Sequence, residues 1–278
     1  MSATMQADLF ANYFSSLIPG PDAIVGRLDV GGRCYPVKEH FLDELAKAFP
    51  GELWTEKAIR QRCDEIFSTA PGKKGSALKR IDPRHVEKFN DIIVDVVRCI
   101  AEPGNTVLVF LPGIAEISAL WEEAQSLEQD GDFKVFPLHS MIPREEQEMV
   151  FEDPDPNVTN LVLATDIAES SITLPRVTAV IDLGLHRRID HDARRGASSL
   201  ATKWISRAAA TQRSGRAGRT QPGTCVRLYT RAFFEDSMEA FQPPESETMP
   251  LDGLYLQAKH LVEKMGASSL TEGVPKSA

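Results

Sequence analysis

Short apolar runs alternate with amphipathic stretches along the middle of the chain. Spacing of apolar residues at helical intervals predicts helices over residues 82–100, 114–129, 143–152 and 231–240. The apolar runs between them predict strands at Thr106–Leu111, Phe133–Leu138, Leu161–Thr165, Val177–Asp182 and Cys225–Tyr229. This alternation predicts an α/β fold with a parallel sheet and helices on both of its faces. In such a sheet, ligands bind at the carboxyl ends of the strands.

The flanking parts of the chain are less regular. A short amphipathic helix is predicted from Ala7 to Phe14, and extended runs at Ala23–Leu28 and Cys34–Phe41. Residues 69–80 are polar and contain glycine, which predicts a loop. No internal repeat is visible.

Two alternating runs, Leu185–Asp190 and Ser198–Trp204, flank a polar stretch that contains Arg194 and Arg195. This pattern predicts a protruding β-hairpin with a basic tip. An ordinary surface hairpin with tolerated arginines is the alternative.

Composition narrows the class of protein. The chain has 278 residues, enough for one large or two small domains. It lacks any run of about 18 apolar residues, so we expect no membrane span. Its four cysteines are scattered, which indicates reduced thiols inside a cell and argues against a zinc site. We expect the nucleus or cytoplasm, with an organelle matrix still open, and no metal site in this chain.

Charge is distributed unevenly along the chain. The formal net charge is −9, yet residues 185–219 carry nine Lys or Arg against two Asp or Glu. Residues 115–156 carry twelve acidic residues against two basic ones. The positive segment could contact phosphates despite the negative total, because the local distribution of charge governs nucleic-acid binding.

The most informative segment is Gln212-Arg213-Ser214-Gly215-Arg216-Ala217-Gly218-Arg219. Arg216 and Arg219 would share a helix face if the segment were helical. Guanidinium groups match phosphate oxygens, and the glycines would let a phosphate chain approach the backbone. The pattern indicates an arginine-finger element for a nucleoside triphosphate. A basic helix end, or a loop that binds nucleic-acid phosphates, is the alternative.

This segment resembles motif VI of superfamily 2 helicases, and other segments extend the resemblance in the same order. Ala164–Thr173 resembles motif V of the DEAH/RHA helicases, with Asp166 and Ser170 in place of the common Asn and Thr. Leu108–Gly113 with Glu116 resembles motif IV, and Leu138–Ser140 the element just after it. Ser2–Thr4 resembles motif III, so the resemblance runs from residue 1 to about residue 265.

The resemblance implies a RecA-like fold and a half-site for ATP. Gln212 would position the attacking water, while Arg216 and Arg219 would neutralise charge on the phosphates. Gly215 would lie near the phosphates, Phe151 would stack on the adenine, and Thr173 would lie near the ribose. Burial of Phe151 in the core is its alternative, and Pro175 replaces an Asp that many family members use.

The resemblance also implies contacts to the backbone of single-stranded RNA. Thr165, Gly113 and Ser140 would make such contacts, and Arg194 and Arg195 of the hairpin would act near the point of strand separation. Ser2 and Thr4 would couple this chain to a first RecA-like domain, and a protein activator is a further candidate partner.

The chain contains neither Gly-x-x-x-x-Gly-Lys-Ser/Thr nor Asp-Glu-x-His, the elements that hold phosphates and Mg²⁺ in the first domain of the family. We therefore expect a fragment that cannot hydrolyse ATP alone, with Mg²⁺ held by the missing domain. Its predicted domains are residues 1–20, the end of the first RecA-like domain, residues 21–245, the second, and residues 246–278, the start of a helical or winged-helix region.

Two other functions remain open. A DNA helicase or remodelling motor of the same superfamily would share these motifs, although the form of motif V favours RNA. A non-catalytic module that binds nucleic acid would share the fold, although the intact Gln212, Arg216 and Arg219 argue against it.

Overall fold

The structure is a computed structural model of the 278-residue chain. It describes residues 7–17, 25–26, 35–49, 55, 57–59, 61, 84–129, 131–139, 141–142, 148–170, 172–192, 197–243 and 252–264. The chain divides into two compact units, one formed by Met1–Arg187 with Thr202–Gln242, the other by Arg188–Ala201 with Pro243–Ala278. The domain boundaries predicted at residues 20 and 245 stay predictions.

Most of the predicted elements are present. The helices are α1 (Ala7–Leu17), α2 (Leu45–Ala48), α3 (Arg84–Glu87), α4 (Asn90–Ile100), α5 (Ile114–Gln129), α6 (Ile167–Ser170), α7 (Arg207–Ser214), α8 (Arg231–Asp236) and α9 (Asp252–Lys264). The strands are β1 (Val37–Phe41), β2 (Thr106–Phe110), β3 (Phe133–Leu138), β4 (Thr159–Ala164), β5 (Val177–Asp182), β6 (Leu185–Asp192), β7 (Ala197–Trp204) and β8 (Gly223–Arg227). Short 3₁₀ helices cover Leu42–Glu44 and Met149–Phe151.

Six strands form one parallel sheet in the order β1-β8-β5-β2-β4-β3. Phe110 at the end of β2 lies opposite both Ala164 of β4 and Asp182 of β5. Leu138 at the end of β3 also lies opposite Ala164. The carboxyl ends of these strands therefore meet at one edge, as the predicted α/β fold requires.

Alternate side chains of the strands build a core on each face of the sheet. Val107 and Val109 of β2 belong to the cluster that α4 and α5 cover. Leu108 and Phe110 belong to the opposite cluster, with Ala168 of α6. Burial on both faces explains why the central strand β2 is almost continuously apolar, and it confirms the predicted covering of the sheet by helices.

The predicted hairpin is also present. Strands β6 and β7 pair in a separate two-stranded sheet. Arg194 and Arg195 lie outside the described residues, as do Ser2, Thr4 and Ser140.

Two element predictions were wrong in detail. The single helix predicted over residues 82–100 is divided into α3 and α4, because the Phe89 N–H donates to the Val86 carbonyl three residues back and closes a tight turn. Helix α8 ends at Asp236 rather than at residue 240. The carbonyls of Glu239 and Ala240 instead accept hydrogen bonds from the first N–H groups of α7, at Arg207 and Ala208.

A buried polar network lies where β5 ends. The Asp182 carboxylate is fully buried and accepts hydrogen bonds from Arg213 Nη1 at 2.9 Å and the Tyr229 hydroxyl at 3.1 Å. It also accepts the Gly184 N–H at 2.9 Å. Gly184 has φ +73°, and a Cβ there would lie 2.7 Å from the Tyr229 ring, so both its conformation and its surroundings require glycine.

The network continues to the edge strand β1. Arg227 Nη1 donates to the Tyr229 hydroxyl at 2.8 Å, and Nη2 donates to Glu39 at 2.6 Å. Burial raises the pKa of Tyr229, so the hydroxyl keeps its proton and donates it to Asp182. One chain of hydrogen bonds thus joins α7, β5, β8 and β1.

We predict that Asp182→Ala destabilises the chain by about 3–5 kcal/mol, because it leaves the buried guanidinium of Arg213 without its main counter-charge. Urea unfolding of the chain measures this loss. Glu235→Ala is the matched control, since Glu235 lies 3.9 Å from the half-exposed Arg231 and such surface pairs contribute about 0–1 kcal/mol. Equal losses in the free energy of unfolding for the two substitutions would show that the buried network stabilises the chain no more than a surface ion pair does.

Candidate functional site

Helix α7 supports the first half of the arginine-rich segment. It begins after Ser206, whose hydroxyl accepts the Ala209 N–H at 3.2 Å. Such an N-cap stabilises a helix by about 1 kcal/mol. The helix carries Gln212, which is half-buried, and Arg213, which points into the core.

The segment is not helical throughout. Helix α7 ends at Ser214 with Gly215 at its C-cap, so Arg216 and Arg219 lie in the turns that follow rather than on one helix face. Gly215 has room for a side chain, because an added Cβ would be 3.4 Å from its nearest neighbour. A Cβ on Gly218 would lie 2.6 Å from the Tyr35 carbonyl oxygen, so packing against the segment before β1 requires that glycine.

Arg213 is fully buried and serves packing. Its Nε donates to Glu169 at 3.1 Å and its Nη1 to Asp182, while its guanidinium lies 4.8 Å from the centre of the Phe110 ring. Burial raises the pKa of Glu169, although the neighbouring Arg213 opposes that rise. Glu169 belongs to the segment that resembles motif V, so the ion pair between Arg213 and Glu169 connects that segment to α7.

Arg216 is held by backbone carbonyls of the same segment. Its Nη2 donates to the Glu169 carbonyl and its Nη1 to the Ile172 carbonyl at 3.3 Å. Its Nε is buried and lacks a hydrogen-bond partner among the described residues. Burial, and then the charge of Arg219, lower the pKa of Arg216 to about 10, so it remains protonated at neutral pH.

Arg219 is exposed and contacts the end of the segment. Its Nη1 donates to the Thr173 hydroxyl at 2.6 Å. All three arginines therefore bind the same short segment of the chain. Arg213 binds the Glu169 side chain, Arg216 binds two backbone carbonyls, and Arg219 binds the Thr173 hydroxyl. This arrangement presents two guanidinium groups close together, one exposed and one with an unpaired N–H.

The other predicted site residues occupy varied surroundings. Phe151 is 42% exposed, so its burial in the core was the wrong alternative, while its stacking on adenine stays a prediction. Thr165 follows β4 at the carboxyl edge of the sheet and is half-buried. Gly113 follows β2 and is buried, and a Cβ there would lie 2.6 Å from Arg187 Nη1, so the Arg187–Glu116 ion pair lies over it.

Sequence reasoning missed Asp182, Glu169 and Tyr229 as supports of the site. A charged residue at the end of an otherwise apolar strand was the available signal for Asp182. Glu169 carried a weaker signal, because a glutamate after a strand is ordinarily exposed. The contact of Tyr229 with Asp182 depends on the pairing of β8 with β5, which the sequence does not specify.

Within the described ranges, no group of three His, Cys, Asp or Glu side chains is arranged to hold a metal ion. In the same ranges, no helix has the length and apolar character needed to cross a membrane.

Comparison with known proteins connects this geometry to a family. Residues 86–221 match the family described as "Helicase conserved C-terminal domain". This match includes β2 to α7 and the turns that carry Arg216 and Arg219.

The chain is similar over nearly all its length to longer curated proteins. It is 35% identical over 277 residues to the Homo sapiens "ATP-dependent RNA helicase DHX30", covering 99% of this chain and 21% of that protein. It is 34% identical over 271 residues to the Danio rerio "ATP-dependent RNA helicase TDRD9", covering 94% of this chain and 19% of that protein. The chain thus spans about a fifth of the length of these relatives.

Solved structures agree with the fold. An Escherichia coli structure titled "DEAH/RHA helicase HrpB" superposes with a TM-score of 0.60 at 25% identity, covering 86% of this chain and 29% of that one. This likeness confirms the predicted RecA-like fold class. Together these matches support the assignment of the chain to the C-terminal helicase domain of the DEAH/RHA (DExH) superfamily 2 helicases.

Proposed function

We propose that this chain is the second RecA-like domain of an ATP-dependent RNA helicase, in which Arg216 and Arg219 act as arginine fingers. The observation that carries the proposal is that both guanidinium groups bind the segment after Thr165, Arg216 through the Glu169 and Ile172 carbonyls and Arg219 through the Thr173 hydroxyl. The names of the relatives support ATP and RNA as the ligands.

The residues present fit the phosphate part of ATP. Arg219 is exposed, and only its Nη1 is engaged by Thr173, so its other N–H groups can donate to anionic oxygens. Arg216 is half-buried and would exchange a contact with the Glu169 or Ile172 carbonyl for one with a phosphate oxygen. The exposed ring of Phe151 is available for stacking on the adenine. Mg²⁺ would neutralise phosphate charge when bound, through carboxylates that we assign to the first RecA-like domain.

In this proposal the arginines act on charge that develops as the terminal phosphoryl group leaves. Fixed guanidinium groups stabilise that charge with little reorganisation. The Glu169 and Ile172 carbonyls hold Arg216, and the Thr173 hydroxyl contacts Arg219. Gln212, half-buried on α7, would orient the attacking water. A first RecA-like domain would supply the phosphate loop and complete the site.

The proposed RNA contacts use the carboxyl edge of the sheet and the hairpin. Thr165, Gly113 and Ser140 would contact the sugar-phosphate backbone, which suits a motor that moves along any sequence. The hairpin arginines, including Arg194 and Arg195, would attract phosphates near the strand junction. RNA- and DNA-stimulated ATPase of the full-length protein at matched salt tests the choice of nucleic acid, and stimulation by DNA alone would contradict the proposal.

We predict that the isolated chain hydrolyses no appreciable ATP and binds it weakly, because one aromatic ring and two arginines act without a phosphate loop. A phosphate-release assay with Mg²⁺ and calorimetric titration with ATP measure both properties. Turnover by the purified chain that disappears in Arg216→Ala would contradict the half-site.

We predict that Arg216→Ala or Arg219→Ala in the full-length protein lowers kcat by about 10³–10⁵, with a much smaller change in nucleotide affinity. The reason is that an arginine finger acts mainly on charge in the transition state. Steady-state kinetics and nucleotide titration separate the two effects. Near-normal turnover would show that the arginine acts elsewhere.

We predict that Arg194→Ala with Arg195→Ala weakens RNA binding and duplex separation, and flattens the salt dependence of binding by about one unit of slope per lost phosphate contact. RNA titrations at several salt concentrations measure the slope, and strand displacement of a tailed duplex measures unwinding. Lys88→Ala with Arg98→Ala is the matched control, since it removes two exposed positive charges near and on α4. Equal slopes for the two double variants would mean that the hairpin contributes only general charge.

A further inference from the structure

We propose that Thr173 is a positioning residue that holds Arg219 in its catalytic orientation through the hydroxyl contact between them, rather than a ribose ligand. The inference rests on the proposed function of Arg219 as an arginine finger. It changes the role that the family resemblance implies for Thr173.

The contact constrains a side chain that is otherwise loosely held. Arg219 is exposed, and within the described part of the chain its guanidinium makes a side-chain hydrogen bond only to Thr173 Oγ1, at 2.6 Å. An arginine side chain loses about 2 kcal/mol of rotamer entropy when it is fixed. A finger that is fixed before the reaction does not have to meet that cost while the transition state forms.

The backbone on both sides of this contact is anchored. The Gly218 carbonyl accepts the Tyr35 N–H at 2.9 Å, and the Gly223 N–H donates to the Pro36 carbonyl at 3.1 Å, so the segment before β1 holds both ends of the turn that carries Arg219. Leu174, next to Thr173, is buried in the core. The hydroxyl contact thus joins two fixed points of the backbone.

Thr173 also sets the spacing between the two fingers. Arg216 binds the carbonyls of Glu169 and Ile172, and Arg219 binds the residue after Ile172. The two positive charges repel each other, since Arg219 contributes to lowering the pKa of Arg216. Without the Thr173 hydroxyl, that repulsion would favour rotation of the exposed arginine into solvent.

The ribose role and the positioning role predict different kinetics. A ribose contact acts on the bound nucleotide in both the ground state and the transition state, so its loss raises KM and its effect depends on the ribose hydroxyls. A positioning contact acts through Arg219, so its loss lowers kcat and is indifferent to those hydroxyls.

The test compares Thr173→Val, Thr173→Ala and Thr173→Ser in the full-length helicase, with ATP, 2′-deoxyATP and 3′-deoxyATP as substrates. We expect the Val and Ala variants to lower kcat by about 10- to 100-fold, the range for loss of a hydrogen bond to a charged group, with KM unchanged. The Ser variant keeps the hydroxyl and should restore most of kcat. The ratio of rates for ATP and each deoxy analogue should match that of the unmodified protein.

Thr211→Val is the matched control. Thr211 is an exposed threonine on α7, and its hydroxyl donates only within its own helix, to the Arg207 carbonyl at 2.9 Å. Threonine and valine have similar helix propensities, so this variant should keep normal kcat. A loss equal to that of Thr173→Val would show that removing any hydroxyl near α7 has the same effect and would overturn the proposal.

A double-variant cycle separates failure of this inference from failure of the proposed function. If Thr173 acts through Arg219, then Thr173→Val should lower kcat no further in an Arg219→Ala background. Normal turnover of Arg219→Ala alone would refute the finger itself. If Arg219→Ala is slow, the finger stands and the Thr173 variants test the positioning role alone. That role would be refuted if those variants raise KM, alter the rate ratio for the deoxy analogues, leave kcat unchanged or lower kcat additively with Arg219→Ala.

Discussion

The fully buried carboxylate of Asp182 is the constraint on which the rest of the candidate site depends. A buried charge is costly unless opposite charge and hydrogen bonds compensate it, so Asp182 requires Arg213, the Tyr229 hydroxyl and the Gly184 N–H around it. Each partner belongs to a different segment of the chain. The contacts to this one carboxylate therefore fix α7 against the end of β5. They also fix the start of the turns after α7, which carry Arg216 and Arg219.

Glu169, Ile172 and Thr173 connect that constraint to the two proposed arginine fingers. The Glu169 side chain binds the buried Arg213, while its carbonyl binds Arg216, so one residue links the core to a proposed finger. The same segment begins after Thr165, at the edge where we place the RNA backbone. Any displacement of this segment would therefore move the partners of Arg216 and Arg219 together.

The two glycines of the arginine-rich segment turn out to serve different needs. We expected both to admit a phosphate chain, yet Gly218 is required by the close approach of the Tyr35 carbonyl. Gly215 lies at the C-cap of α7, where an added Cβ would make only ordinary contacts, so packing does not require glycine at this position. The family spacing of the motif thus combines one requirement of the fold with one that we assign to the ligand.

The sequence by itself determined the α/β class, the strands and the hairpin, because these depend on local periodicity. The resemblance to the helicase family came from its motifs and their order along the chain. The sequence identified Arg216 and Arg219 from their spacing, but predicted neither that the helix ends before them nor which residues Arg213 contacts. Contacts between residues distant in sequence decided those features, since the partners of Arg213 lie 31 and 44 positions away. Only the tertiary structure placed Thr173 against Arg219, because the segment before β5 and the turn before β8 become neighbours only when these two strands pair.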